Sequence, residues 1–333
     1  EQTGLPYICF SDTVNKLSMQ KNIGVIKSSN LCSEIVQYSD NNETAVCNLC
    51  SISLASCVID SYTVAEMNTP FENRRELNNE FPINPTFDWI HLIDVTKSAV
   101  TALNNIIDKN YYPTNNTIRS NLRHRPIGIG VQGLADAYIK MRFPFDSENA
   151  AKLNKDIFET MYYAALSQSS RLCKEMLQNS KRNLIKDGTL TLHKFIENDY
   201  DNVEKVVYTN INDIPTNAFA YPSMYWNGGS PLANGKFHWE LAGVKPHTLY
   251  RYDWETLREH IKTFGVRNSL LIAVMPTAST SQFLGNNECI EPFTSNIYKR
   301  QTLAGTFIVI NKYLVNDLTK LGLWKDKTDL KAY

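Results

Sequence analysis

The feature that most constrains the fold of this chain is an alternation of helical periods with short apolar segments. Residues 87–110 and 147–177 carry apolar side chains at intervals of three and four, which predicts two amphipathic helices. Residues 125–130 and 270–275 are short and apolar or glycine-rich, which predicts extended segments. Strands that alternate with helices along a chain are typical of the α/β class, and we assign the chain to it.

The tract 178–250 interrupts this alternation. It is polar, aromatic and rich in glycine and proline, without a steady period. We expect it to be an insertion or an irregular surface segment within the domain. Beyond it, Asp253 is a suitable N-cap for a helix that Gly265 would close.

Charge and cysteine usage restrict the partners and the compartment. Lys+Arg and Asp+Glu each number 34, so nothing favours nucleic acid or an anionic membrane as a partner. No apolar run approaches the ~20 residues of a membrane span. The seven cysteines are odd in number and follow no secretory signal, which predicts a reducing, cytoplasmic location. The first residues, EQTGLPYICF, lack an initiator Met, and we expect a piece of a longer or processed protein.

The segment SNLCSEI carries an amide, a thiol and a carboxylate at alternate positions. In an extended backbone, Asn30, Cys32 and Glu34 would point to the same side. A hydrogen-bonding amide, a sulfur and a base that converge on one space indicate a candidate site. The alternative is a buried cysteine in a loop with two solvated polar neighbours.

The segment GIGVQG, residues 128–133, matches the glycine spacing of a dinucleotide-binding turn. That turn follows a hydrophobic strand, whereas residues 121–126 are polar here. We therefore expect these glycines to serve tight packing between a strand and a helix.

Cys47 and Cys50 form a CxxC pair. It could be a redox pair or half of a zinc site, but zinc needs two further ligands. Only Cys57 and His91 are near in sequence, so a zinc site is the weaker interpretation.

Residues 275–281, MPTASTS, lead from an apolar segment through proline into small hydroxyl side chains. If a helix begins here, its free N–H groups and hydroxyls could hold a phosphate. An ordinary capped helix without a ligand is the alternative.

Three long blocks together resemble one family, the large catalytic subunit of class I ribonucleotide reductase, in its eukaryotic and large-DNA-virus branch. The resemblance covers most of residues 1–177 and 250–325. The blocks are SNLCSEIVQYSDNNETAVCNLCSISL, then DKNYYPTNN with RHRPIGIGVQGLADAYIKMRFPFDSENAAKLNKDIFETMYYAAL, and GVRNSLLIAVMPTASTSQFLGNNECIEPFTSNIYKRQTLAGTFIVINKYLVNDLTKLGLW.

The resemblance implies that residues 1–333 are the central and C-terminal part of a ten-stranded α/β barrel, whose central finger loop carries the active-site cysteine. It implies reduction of ribonucleoside diphosphates to 2′-deoxyribonucleoside diphosphates by thiyl-radical chemistry. The chain would act as part of a larger catalytic subunit and would not be active alone. A catalytically silent family member that acts as a scaffold or binding protein is the alternative.

The matching positions imply roles for individual residues. Cys32 would become the thiyl radical that removes the 3′ hydrogen, and Glu34 would be the general base on the 3′-OH. Asn30 would orient the substrate hydroxyls. Cys47 would be one half of a redox-active pair whose partner lies upstream of this chain. The remaining matches imply substrate-binding positions at Ser29, Leu31, Pro276, Thr277, Ala278, Ser279 and Thr280.

The resemblance also implies partners. No cofactor or metal would bind this chain directly, because a metal-containing small subunit supplies the radical and effector nucleotides bind outside this segment. The expected partners are a ribonucleoside diphosphate, that small subunit, the upstream and downstream parts of the large subunit, and a thioredoxin or glutaredoxin type reductant.

Overall fold

A computed structural model describes residues 6–59, 85–248, 251–302 and 305–324. These residues contain both helices and strands. The helices are α1 Ser11–Leu17, α2 Trp89–Lys109, α3 Asn115–His124, α4 Leu134–Lys140, α5 Glu148–Asp187, α6 His238–Leu241, α7 Trp254–Phe264, α8 Thr280–Leu284 and α9 Lys312–Lys320. The strands are β1 Leu49–Ser53, β2 Val58–Ile59, β3 Thr86–Phe87, β4 Gly128–Gln132, β5 Leu190–Phe195, β6 Val203–Tyr208, β7 Ile297–Thr302 and β8 Gly305–Ile310.

The helices that periodicity predicts are present. Helix α2 differs from the prediction by two residues at its start and one at its end. Helix α5 continues ten residues past the predicted end at 177, to Asp187. The extension buries Leu177 and Leu184 against Ile214, so its last turns are stabilised by apolar contacts from a later segment. The carboxylate of Asp253 caps α7 by accepting a hydrogen bond from the Thr256 N–H.

The described strands pair into four two-stranded sheets: β1 with β4, β2 with β3, β5 with β6, and β7 with β8. The last three pairs are antiparallel. These strands do not form a closed barrel, so the ten-stranded barrel stays a prediction. The hairpin β5–β6 lies within the tract 178–250, which also contains the fully buried side chains of Met224 and Phe237.

The chain divides into two compact units. One contains Glu1–Ile52, Leu92–Gly130 and Asn154–Pro276; the other contains Ser53–His91, Val131–Leu153 and Thr277–Tyr333. Among the helices of the described ranges, none is long and apolar enough to cross a membrane.

Gly128, Ile129 and Gly130 of strand β4 belong to the first unit and contact extended segments on both sides. The Gly128 N–H donates to the carbonyl of Asn48 (2.8 Å), and the Ile129 N–H donates to the carbonyl of Leu271 (2.9 Å) on the other side. A Cβ on Gly130 would lie 2.5 Å from the carbonyl oxygen of Ala273. The glycines therefore do serve tight packing, but their neighbours are extended segments and not the helix that we predicted.

Candidate active site

Residues 29–35 form a closed turn and not an extended strand. The Asn30 N–H donates to the Ile35 carbonyl (3.3 Å), and the Ile35 N–H donates to Oδ1 of Asn30 (3.1 Å). Between them the Ser33 N–H donates to the Asn30 carbonyl (3.1 Å), and Ser33 has a φ of +64°. The predicted alternation of Asn30, Cys32 and Glu34 along one face is therefore wrong, because the backbone reverses within the segment.

The turn presents its thiol to solvent. Cys32 is exposed, and 89% of the surface of its neighbour Leu31 is accessible. Asn30 is half-buried, and its Nδ2 donates to none of the residues described. The side-chain oxygen of Asn30 thus holds the turn closed, while its amino group stays available to a ligand. Ser29, before the turn, donates its hydroxyl to the Asn30 carbonyl (3.3 Å).

Glu34 combines burial with an unused acceptor. Its Oε2 is buried and has no hydrogen-bond partner within the described ranges. A buried carboxylate oxygen without a donor is unfavourable, so a ligand hydroxyl that donates to it would be stabilised. The side chain is therefore suited to accept a proton from a bound molecule.

Cys47 lies within the electrostatic influence of Glu34. Although Cys47 is exposed as a residue, partial desolvation of its sulfur raises the pKa of the thiol, and the negative charge of Glu34 raises it further. The pKa of Cys50 is raised by burial alone. The charge of the acid in the first segment thus acts on the first thiol of the CxxC pair. All seven cysteines are free thiols.

Asp40 anchors the chain between these two groups, and its role was missed at the level of sequence. Its carboxylate accepts hydrogen bonds from the hydroxyls of Tyr38 (3.1 Å) and Tyr200 (2.8 Å). It also accepts from the N–H groups of Asn42 and Glu43, both at 2.7 Å. Burial raises the pKa of Asp40, but these hydrogen bonds lower it by more, so the net pKa is below its usual value.

Glu43 ties the same segment to the end of helix α3. Its carboxylate contacts Nη1 of Arg123 (3.4 Å) and Nε2 of His124, and all three side chains are buried. Nδ1 of His124 lies 2.7 Å from the hydroxyl of Ser223. The Arg123 guanidinium also stands 4.8 Å from the centre of the Tyr200 ring. No local sequence pattern marks this network, because its members lie far apart along the chain.

The predicted phosphate-binding segment divides at the boundary between the two units. Pro276 is exposed and belongs to the first unit. In the second, Thr277 is buried and its hydroxyl accepts from the Cys289 N–H (2.8 Å). Ala278, Ser279 and Thr280 are exposed, and α8 begins at Thr280 as a helix of only five residues.

Metal ligands do not cluster in the part of the chain that the structure describes. No group of three or more His, Cys, Asp or Glu side chains in these ranges could hold a metal ion. Cys57, a ligand that the zinc interpretation would need, is buried, which raises the pKa of its thiol to about 11.

Comparison with known proteins shows which family the chain belongs to. Residues 1–332 match a family model described as "Ribonucleotide reductase, barrel domain". The chain is 45% identical over 323 residues to the ribonucleoside-diphosphate reductase large subunit of Arabidopsis thaliana. It is 44% identical over 324 residues to that of Dictyostelium discoideum, and 43% identical over 326 residues to that of Monkeypox virus.

These alignments cover nearly all of this chain but only part of each relative. They include 97% of this chain and 33% of the Arabidopsis protein, 97% and 30% for Dictyostelium, and 98% and 33% for Monkeypox virus. The chain thus spans about a third of the length of the curated relatives it matches. The resemblance to the eukaryotic and poxviral branch is confirmed.

Proposed function

We propose that this chain, which belongs to the ribonucleotide reductase barrel family, takes part in the reduction of ribonucleoside diphosphates to 2′-deoxyribonucleoside diphosphates. It would act as part of a larger catalytic subunit and supply DNA precursors. Membership of the family is carried by the match over residues 1–332. The activity is our proposal, because the chain spans about a third of its relatives' length.

One observation carries the proposal beyond family membership. An exposed thiol, Cys32, sits in a turn that Asn30 closes, and the next acid, Glu34, has a buried carboxylate oxygen without a donor. The negative charge of the same carboxylate raises the pKa of the Cys47 thiol. Two thiols and one base within one compact unit are part of the set that this radical reduction needs, and the thiol that pairs with Cys47 completes it.

Each of these groups has a distinct role in the proposed reaction. The thiyl radical of Cys32 removes the 3′ hydrogen atom of the ribose, and Glu34 accepts the proton of the 3′-OH. The free amino group of Asn30 donates a hydrogen bond to a substrate hydroxyl. The 2′ oxygen takes one proton from the thiol pair and leaves as water, and C2′ gains the other hydrogen. Cys47 with a second thiol supplies the two electrons as the pair becomes a disulfide, and Glu34 returns its proton to the 3′ oxygen. The 3′ hydrogen then returns from Cys32, which restores the thiyl.

The remaining assignments follow from family membership. Ser29 and Leu31 would contact the substrate, and residues 276–280 would bind its diphosphate. Of these, Ser279 and Thr280 have exposed hydroxyls that support the role, whereas the hydroxyl of Thr277 already accepts from Cys289. The loop of Cys32 would be the finger loop of a ten-stranded α/β barrel.

The proposed partners lie outside this chain. A metal-containing small subunit would supply the radical, effector nucleotides would bind elsewhere, and a thioredoxin or glutaredoxin type protein would reduce the disulfide. Exposed apolar side chains support contact with further polypeptide of the large subunit: Ile297 and Ile308 of β7 and β8 are 57% and 65% exposed. The assembly would work in the cytoplasm, or in the host cytoplasm for a viral protein.

Reconstitution tests the proposal. The full chain is combined with the upstream and downstream parts of the large subunit, a radical-generating small subunit, a ribonucleoside diphosphate and an effector nucleotide. Deoxynucleotide formation is then measured for the parent, for Cys32→Ser and for Cys9→Ser. Cys9 is the matched control, since it is an exposed cysteine of the same unit outside the site.

We expect product from the parent and from Cys9→Ser, and none from Cys32→Ser. Far-ultraviolet circular dichroism would confirm that the serine variants stay folded, as expected for exposed positions. If the parent forms no product with every part present and bound, the chain is a silent scaffold and the enzymatic proposal fails.

A further inference from the structure

We propose that Asn48 and Asn121 form a positioning pair that holds Cys47 beside Glu34. The proposal rests on the proposed function, because it takes Cys47 as the thiol that supplies electrons. Neither asparagine was singled out by the sequence or by the roles that the family resemblance implies.

The two amides satisfy one another in the interior of the first unit. Nδ2 of Asn48 donates to Oδ1 of Asn121 (2.7 Å) and to the carbonyl of Pro126 (2.8 Å). Nδ2 of Asn121 donates to Oδ1 of Asn48 (3.4 Å) and to the hydroxyl of Tyr112. The two residues are 4% and 0% exposed. Every amide hydrogen of the pair therefore has an acceptor, which gives the pair a single geometry.

The partners of the pair are themselves fixed. The hydroxyl of Tyr112 donates to the carbonyl of Ile107 (2.7 Å) in helix α2. The carbonyl of Asn48 accepts from the Gly128 N–H (2.8 Å) of β4. Asn48 is thus held through its backbone and its side chain at once, and Cys47 is the residue directly before it.

This anchoring has a chemical consequence for the neighbouring sulfur. Cys47 is exposed, and the two segments meet through their neighbours: Nε2 of Gln37, three residues after Glu34, donates to the carbonyl of Val46, the residue before Cys47 (3.5 Å). The backbone at Asn48 sets the direction in which the Cys47 side chain leaves the chain. We infer that loss of the Asn48 anchor lets the thiol move away from the carboxylate of Glu34.

A second amide pair in the same unit provides the matched control. Nδ2 of Asn104 donates to Oδ1 of Asn268 (2.9 Å), and Nδ2 of Asn268 donates back to Oδ1 of Asn104 (3.2 Å). This pair is 6% and 0% exposed and has no cysteine beside it in the chain. Substitution of Asn104 thus removes buried amide hydrogen bonds of the same kind, together with one from the Arg125 guanidinium, and changes no residue next to Cys47.

The experiment measures the reactivity of Cys47 directly and needs no turnover. The full chain is treated with iodoacetamide over a range of pH, and tandem mass spectrometry assigns the modified cysteine. Asn48→Ala, Asn121→Ala and Asn104→Ala are compared with the parent. Asn121→Ala serves as the second variant because it breaks the pair while leaving the residue beside Cys47 unchanged.

Release of Cys47 from Glu34 should make it easier to ionise. We expect both pair variants to raise its alkylation rate near neutral pH by roughly threefold or more. Asn104→Ala should leave the rate within about twofold of the parent. A rise in the control as large as in the pair variants, or no rise in folded pair variants, would overturn the positioning role.

Measurement of deoxynucleotide formation separates the positioning role of the asparagine pair from the proposed reductase function. If the parent assembly makes no deoxynucleotide, the proposed function fails whatever the alkylation rates are. If the parent is active and Asn121→Ala keeps full activity with unchanged Cys47 reactivity, the function stands and the positioning pair is rejected.

Discussion

The carboxylate of Glu34 lies near enough to the thiol of Cys47 for its negative charge to oppose ionisation of that thiol. The two residues are separated by a segment that Asp40 and Glu43 anchor to the rest of the first unit. The segment between the base and the thiol is therefore fixed by contacts that neither Glu34 nor Cys47 makes. Four predictions test this arrangement and the packing that supports it.

Replacing Glu34 with glutamine should lower the pKa of Cys47. The substitution removes the negative charge and keeps the shape, so the thiolate loses a repulsive neighbour while its partial burial remains. Alkylation of Cys47 near neutral pH should become faster. Cys50 is the internal control, because burial alone raises its pKa. An unchanged or slower reaction at Cys47 would mean that the two side chains are not close in solution.

Glu43→Gln should strongly destabilise the fold. It leaves the buried Arg123 without its anion, and losing one partner of a buried ion pair costs about 3–5 kcal/mol. Asp201→Asn is the control, since Asp201 pairs with Arg119 at the surface, where an ion pair contributes about 1 kcal/mol or less. Urea unfolding gives the free energy of unfolding of both variants. Equal losses of stability in the two variants would contradict a buried network around Glu43.

The stability that Asp40 contributes should depend on pH. Its folded pKa lies below that of the unfolded chain, so its hydrogen bonds stabilise the fold above the unfolded pKa. That contribution is lost as the pH falls through the folded pKa. In urea unfolding, Asp40→Asn should be less stable than the parent at neutral pH, and the difference should shrink below about pH 4. If the difference in stability between Asp40→Asn and the parent did not change with pH, the folded pKa of Asp40 would not lie below its unfolded value.

Gly130→Ala should destabilise the first unit. The new Cβ would lie 2.5 Å from the carbonyl oxygen of Ala273 and 2.7 Å from Sδ of Met275. Overpacking of this kind costs about 1–3 kcal/mol. Adding Met275→Ala should not restore the loss, because the backbone carbonyl remains in place and truncation of the buried Met275 side chain leaves a cavity. Thermal unfolding of the single and double variants would show this, and full recovery would contradict the backbone clash.

Helix positions were predictable because an amphipathic period repeats within a few turns. Helices α2 and α7 begin and end close to the predicted residues. The end of α5 was not predictable, because Leu177 and Leu184 are buried by a cluster that includes Ile214 from a later segment. The turn at Cys32 was mispredicted as extended, since alternation of side-chain types does not reveal that Asn30 folds back on Ile35.

The sequence alone determined the family, the α/β class and the chemical types present in the candidate site, because long matching blocks preserve residue identity and order. Only the tertiary structure decided which groups meet. Asn48 and Asn121 lie 73 positions apart, and the charge of Glu34 raises the pKa of Cys47, 13 positions later. Such contacts depend on how distant segments pack, and a local pattern of side chains carries no information about that packing.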